Sequence, residues 1–262
     1  MNKTEIEWVK NPDGTKGYTW NPVTGCLHNC WYCYAAKIAN RFGESNNSKS
    51  KIHELVYHDG TIIDLRTEIN DPIDCRYLPV GLDNPYPFKF EPSMHYYRLW
   101  DPQKVKKGSK IFVCSMADLF GDWVPAEWIN EVLKTVKETP WHTFLFLTKN
   151  PKRYLEFQFP NNCWLGITLT GEEPTFQVAE RSIILSDIKN VKFVSYEPLL
   201  KKPKCFPNNI DWLIIGGLTP KPVHENEWVK ELIDLLRISE IPIFLKDNLK
   251  YPEIIKKYPK II

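Results

Sequence analysis

The amino-acid sequence predicts an α/β protein whose parallel strands build a (β/α) barrel, complete or partly open. Three observations carry the expectation. From about residue 110, short apolar runs recur at intervals; each is apolar on successive as well as alternate positions; and segments of helical period separate most of them. The 262 residues suit one domain, 1–262, with 44–84 as an inserted cap.

Upstream, "YTWNPVTG" supplies a strand and a turn, and "AAKIANRF" a helix. Residues 44–84 are polar, then Pro- and Asp-containing, and "ELVYHDGTIIDLR" within them reads as a hairpin turning at Asp59-Gly60. "YPFKFEPSM" (86–94) is expected to give a second strand. Six further strands follow: "KIFVCSM" (110–116), "HTFLFLT" (142–148), "CWLGITLT" (163–170), "VKFVSYE" (191–197), "DWLIIGG" (211–217) and "IPIFLKD" (241–247). Between them, "VPAEWINEVLKTVKE" places Trp128, Ile129, Val132, Leu133 and Val136 on one helical face. Asn150 and Pro151 form an expected N-cap and first helical position for "KRYLEF". "FQVAERSIIL" and "ENEWVKELIDLLR" read as two more helices, and 197–211 as loop. Eight strands alternating with connections is a TIM-like count; an open doubly wound sheet is the alternative.

The formal charge of +2 gives no electrostatic argument for a nucleic-acid or membrane partner. "MNKTEIEWVK" lacks a signal-peptide core, and "TFLFL" and "WLIIGGL" fall far short of the about 20 residues that span a bilayer. A cytoplasmic protein is expected. Seven cysteines, an odd number, then point away from a disulfide framework and toward metal or redox chemistry. The basic stretches Lys104, Lys106, Lys107, Lys110 and Lys201, Lys202, Lys204 are expected on solvated faces. Trp31 and Trp100 are candidate pocket aromatics.

The chemistry concentrates in "TGCLHNCWYCYAAKIANRF", where Cys26, Cys30 and Cys33 stand in C-x3-C-x2-C. Soft thiolates select zinc, copper(I) or iron–sulfur clusters. A structural zinc site wants four ligands, and His28 lies awkwardly inside the first turn of the motif. Three thiolates suit a [4Fe–4S] cluster with one iron open; structural zinc and redox thiols are the alternatives. Cys114 and Cys163 read as core residues, Cys75 and Cys205 as loop residues.

"CLHNCWYC" resembles the radical S-adenosylmethionine (SAM) signature, with Tyr32 at its aromatic place. More narrowly, "IEW", "TWNPVTGC", "CSMADLFGDWVPAEW", "LTKNPKRYL", "WLGIT", "FVSYEPLL", "DWLIIGG" and "IPIFLK" resemble the phage Gp37/Gp68-like family of uncharacterised radical SAM proteins, across most of the chain outside 44–84. The resemblance implies a [4Fe–4S] cluster on Cys26, Cys30 and Cys33, and reductive cleavage of S-adenosyl-L-methionine to a 5′-deoxyadenosyl radical. It also implies an external one-electron donor of flavodoxin or ferredoxin type. The substrate is left unknown; a nucleic acid or nucleotide is among those it allows. A non-enzymatic iron–sulfur electron carrier and a zinc-stabilised binding module remain the competing functions.

On this reading Tyr32 packs beside the cluster and the adenine end of SAM, and further SAM contacts come from polar residues at strand ends: Ser115, Thr148, Lys149, Thr168 and Ser195. Each has a plain structural role as its alternative, such as satisfying backbone groups. Glu197, Asp118 and Lys246 are the candidate catalytic residues; a carboxylate such as Glu197 between an apolar strand and a proline is costly unless paired or used. The family commonly carries Gly-Gly-Glu after the seventh strand, whereas this chain reads "GGLTPKP" with Leu218 there, leaving Glu225 as a possible substitute.

Overall fold

The computed structural model describes residues 1–43, 54–56, 61–64, 72–74, 86 and 88–259. In chain order the elements are β1 (Asn2–Lys3), β2 (Tyr18–Trp20), β3 (Val23–Thr24), α1 (Tyr34–Phe42), β4 (Glu54–Val56), β5 (Ile62–Asp64), β6 (Ile73–Asp74), β7 (Ser93–Met94) and β8 (Lys110–Val113). They continue with α2 (Ala126–Glu138), β9 (Thr143–Thr148), β10 (Cys163–Leu169), α3 (Thr175–Ser186), β11 (Val191–Tyr196), β12 (Trp212–Ile215), α4 (Asn226–Arg237) and β13 (Ile243–Leu245).

One eight-stranded sheet organises the chain in the order β1-β2-β8-β9-β10-β11-β12-β13. β1 is antiparallel to β2, and every other pairing in this sheet is parallel. The order never reverses, so the chain steps across the sheet in one direction. A flat sheet wound in this way would leave one face bare.

The side-chain alternation shows how both faces are covered. Ile111, Val113, Phe144, Phe146, Leu165, Ile167, Val194, Leu213, Ile215 and Leu245 join one cluster with the inward residues of α2 and α4, among them Ile129, Val132, Leu232 and Ile233. The intervening residues Phe112, Leu145, Trp164, Phe193, Trp212, Ile214 and Phe244 gather instead with Trp8 and Val9. A period of two thus sorts each strand between a helix-covered face and an inner face.

The inner face is strongly curled. Trp8 lies 4.8 Å from the Phe112 ring, 6.1 Å from Phe193 and 6.3 Å from Trp212, centroid to centroid. Phe112 and Trp212 sit on β8 and β12, four strand spacings apart, which on a flat sheet is ~19 Å. One indole reaches both only because the sheet wraps around it. At the seam, Glu7 pairs with Lys256 and accepts the Asp247 N–H at 3.1 Å, while Tyr258 Oη donates to the Glu7 carbonyl at 3.2 Å. Among the described residues no strand ladder joins β1 to β13.

All six strands expected from 110 onward are present, as are the three helices expected at 124–138, 176–185 and 225–237 and the loop at 197–211. Three expectations are corrected. Residues 86–94 add no strand to the main sheet: Lys89 has φ of 53°, Phe88–Phe90 forms a turn, and only Ser93–Met94 is extended, in a small sheet with β3 and β6. Asn150 and Pro151 do stand at the start of a helical segment, but Pro151–Glu156 is a 3-10 helix and the Asn150 side chain makes no cap bond, its NH2 turning away to donate to Phe120 O (3.0 Å) and Asp122 Oδ1 (2.7 Å). Lys110 is not on a solvated face; it is 4% exposed on the inner side of β8. β4 and β5 pair antiparallel as a hairpin requires, while its turn at Asp59-Gly60, most of the 44–84 cap and Cys75 lie outside the described residues. No described helix is long and apolar enough to cross a membrane.

The small sheet contains a buried histidine. His95 is fully buried, its Nε2 bonded with Thr24 Oγ1 at 2.9 Å, and burial followed by the nearby Arg98 charge holds its pKa well below 6.5. His142 is displaced the same way, chiefly by burial. The unfolded chain therefore binds protons that the folded one refuses, and stability present above pH 6.5 is lost as pH falls below it. Unfolding free energies from urea titrations between pH 7.5 and 5 should decline with a slope of up to about 1.4 kcal/mol per pH unit for each histidine, lowering the midpoint, and His95→Gln should flatten the profile. A pH-independent midpoint in wild type would contradict this placement.

Candidate metal centre

The three motif cysteines lie on one loop that leaves β3 and enters α1. Gly25 begins it with φ of +87°, and its N–H donates to Met116 O at 2.9 Å. A Cβ at Gly25 would meet Glu91 O at 2.2 Å, so only glycine passes between the two segments. Cys26 N–H then bonds Phe90 O at 3.2 Å, and Cys33 N–H closes a turn on Cys30 O at 3.0 Å. Cys33 precedes the helix, and its Sγ accepts the Ala36 N–H at 3.4 Å. Ala35 and Ala39 bury α1 against Met116, small residues that let the helix lie close under the loop.

Asp118 fastens this loop to the sheet. Its Oδ1 accepts from Thr148 Oγ1 (2.7 Å) and Phe120 N–H (3.0 Å), and its Oδ2 accepts from His28 Nε2 (2.8 Å) and Lys149 N–H (2.9 Å). An ionised carboxylate only accepts, so His28 carries its proton on Nε2. The imidazole also stands edge-on to Trp123, centroids 4.9 Å apart. Both carboxylate oxygens are thus occupied within the protein. The four contacts tie the cysteine loop to the end of β9.

Lys149, just past β9, turns its ammonium onto the same loop. Nζ lies 3.2 Å from Cys30 Sγ, donates to Tyr32 Oη, and sits 5.0 Å from the Tyr32 ring centre. Burial raises the Tyr32 pKa, the contacts with Lys149 opposing it. Burial pushes the Cys26 thiol up to about 12, with the negative fields of Asp118, Cys30 and Cys33 adding to it. The three cysteines are half-buried and free of disulfides.

A set of three soft donors on one loop, beside one ammonium, fits a thiolate-bound cluster in the chemistry of its ligands. Among the described residues, no three His, Cys, Asp or Glu side chains converge closely enough to hold a single metal ion. Cys114 and Cys163 are core residues, 3% and 0% exposed. Cys205 is half-buried with its sulfur 3.9 Å from Thr175 O.

The remaining strand-end residues fall into three groups. Ser115 and Thr148 spend their hydroxyls inside the protein, on Asn21 Oδ1 (3.2 Å) and Asp118 respectively. Thr168 and Ser195 are paired in register on neighbouring strands, and Ser195 Oγ is buried with no hydrogen-bond partner among the described residues. Glu197 and Lys246 form an ion pair beneath Gly216, where a Cβ would meet the Lys246 chain at 2.9 Å and the Glu197 carboxyl carbon at 3.1 Å. Leu218 is half-buried, and Glu225 is exposed immediately before α4.

Tyr34, the exposed first residue of α1, donates its hydroxyl to Ser115 O at 2.9 Å. Sequence reasoning missed Tyr34, His28 as a hydrogen-bond donor, Asn21 and Gly25. Only Gly25 carried a local signal, a glycine directly before the first cysteine. Trp31 and Trp100 are exposed, Trp31 standing edge-on to Tyr32 at 5.5 Å.

Removing the Asp118 carboxylate strands four donors, two of them buried: the Phe120 N–H and the Thr148 hydroxyl. Asp118→Ala should lose about 3 kcal/mol in urea unfolding, and protease cleavage within 25–33 should accelerate. Unchanged stability and unchanged cleavage would show that the loop holds without it.

Comparison with known proteins bears on the family. Among solved structures, a mutant of spore photoproduct lyase is similar over 94% of this chain and 78% of its own, at 10% sequence identity and a TM-score of 0.48. No curated protein matches the sequence. Residues 3–258 match the family described as "Protein of unknown function (DUF5131)", and because that match spans nearly the whole chain, the protein belongs to this family.

Proposed function

We propose that the protein is a radical SAM enzyme, with a [4Fe–4S] cluster held by Cys26, Cys30 and Cys33. One observation carries the reading. The C-x3-C-x2-C loop presents three free thiols, and Asp118, Thr148 and Lys149, assembled with it, lie at or beyond the carboxyl ends of the parallel strands β8 and β9. Ligand and catalytic sites of parallel α/β folds form at that end. The curled sheet is read accordingly as a partly open (β/α) barrel. The resemblance of "CLHNCWYC" to the radical SAM signature, and of the wider chain to the phage Gp37/Gp68-like proteins, supports the same conclusion.

When bound, the cluster supplies one electron for reductive cleavage of SAM to methionine and a 5′-deoxyadenosyl radical. The chain's own residues supply position and charge. Lys149 places a cation on Cys30 and offsets part of the thiolate charge. Asp118, through His28 and Lys149, holds the loop at a fixed height over the sheet. Tyr32 offers an aromatic face beside the loop. Ser195, with its unspent hydroxyl, and the Glu197–Lys246 pair provide polar groups for SAM or substrate on the inner face. Substrate identity stays open, a nucleic acid or nucleotide included; the electron comes from an external donor of flavodoxin or ferredoxin type.

An electron carrier would use a fourth protein ligand. The described cysteines outside the loop are two core residues and Cys205, which lies against Thr175. A zinc-stabilised module is the other alternative. After anaerobic reconstitution and reduction with dithionite, wild type should convert SAM to 5′-deoxyadenosine, read by mass spectrometry, and Cys30→Ala should form none. A colourless protein with stoichiometric zinc would overturn the proposal. So would a brown protein that neither cleaves nor binds SAM.

A further inference from the structure

Away from the cysteine loop, a cavity of about 590 Å³ opens at the seam of the sheet, between the segment 7–14 and the C-terminal residues Lys256 and Tyr258. That volume lies within the range of small-molecule sites, about 300–1,000 Å³. Trp164, Phe244 and Tyr258 give it flat apolar walls, and Lys110 enters it from the start of β8.

The charges in this cavity do not balance. Glu7 and Asp247 are both claimed by Lys256, whose Nζ reaches Asp247 Oδ1 at 2.7 Å. Lys10 is exposed at the rim. Lys110 is 4% exposed and has no carboxylate or carbonyl partner among the described residues; its ammonium rests on the Tyr258 ring at 3.8 Å and stands 5.3 Å from the Trp164 ring. Lysine is almost never buried to this degree unpaired, and the π face of a tyrosine offsets only part of the cost of desolvating an ammonium. The missing counter-charge is an anion, and the space beside Lys110 is large enough to admit one with an apolar body.

We infer that the seam cavity binds a small organic anion, its carboxylate or phosphate paired with Lys110 and its flat ring packed on the aromatic wall that includes Trp164. The site is separate from the proposed catalytic end, yet Asp247 on its rim adjoins Lys246 of the Glu197 pair.

Calorimetric titration with 2-naphthoate tests this directly, with inorganic phosphate as the anion lacking an apolar body. Naphthoate should bind saturably, one per chain, and Lys110→Met should weaken it about tenfold or more, the worth of a charge-assisted contact. Trp164→Leu should weaken it independently, which guards against a fold defect in either variant alone. Phosphate should bind at least tenfold more weakly. Burial holds Lys110 down at about 8, so binding above that pH should take up a proton, seen as a heat that varies with buffer ionisation. Glu7, Lys10, Asp247, Lys256 and Tyr258 also face the cavity, and loss of the buffer dependence in Lys110→Met separates Lys110 from them. Naphthoate that fails to saturate, binds Lys110→Met as tightly as wild type, or binds no better than phosphate would overturn the inference.

Discussion

The Asp118 carboxylate is the junction on which the candidate site depends. It accepts hydrogen bonds from His28 in the cysteine loop, from Thr148 and Lys149 at the end of β9, and from Phe120 in its own turn. Three pieces of chain, up to 121 residues apart in sequence (His28 to Lys149), meet at two oxygens. Because Lys149 is held by its backbone N–H at that junction, its side chain is aimed at Cys30 and Tyr32 rather than left to solvent. Loop position and loop electrostatics therefore share one cause.

The junction rests on a sheet packed on both faces. Strands apolar on both faces bury one set of side chains under α2 and α4 and the other around Trp8. Curling around a single indole brings the strand ends toward one another, so that residues from β10, β11 and the end of β13 sit at one mouth. The same curl leaves a seam where the edges face each other through Glu7, Lys256 and Tyr258, and the buried Lys110 lies there against the Tyr258 ring. The α/β architecture thus has two chemically different ends, one rich in sulfur and hydrogen-bonding groups, one aromatic and cationic.

How much of this could be read beforehand follows from what each element needs. Continuous apolar runs such as "HTFLFLT" and "DWLIIGG" announce buried parallel strands without help from the fold, and the cysteine spacing announces a soft-metal loop. The two-residue strands β3, β6 and β7 carry no period at all, and Lys89 breaks the run in which 86–94 looked extended. Asn150 has the composition of a cap but is diverted by Asp122, a partner that local pattern does not reveal. Lys110 ends a basic stretch and begins a strand; its charge suggests solvent, while its place immediately before "IFV" was the available sign of burial. His28 was weighed as a metal ligand because its partner lies 90 residues away.

The central claim is that three thiolates hold a cluster with one iron open to SAM. Electron paramagnetic resonance of the anaerobically reconstituted, dithionite-reduced protein, recorded with and without SAM, tests it most directly. The account predicts the signal of a reduced [4Fe–4S] cluster whose g values shift when SAM is added, since SAM takes the open iron. A cluster signal indifferent to SAM would mean that the fourth iron is closed by another ligand, and the absence of any cluster signal in iron-loaded protein would contradict the account altogether.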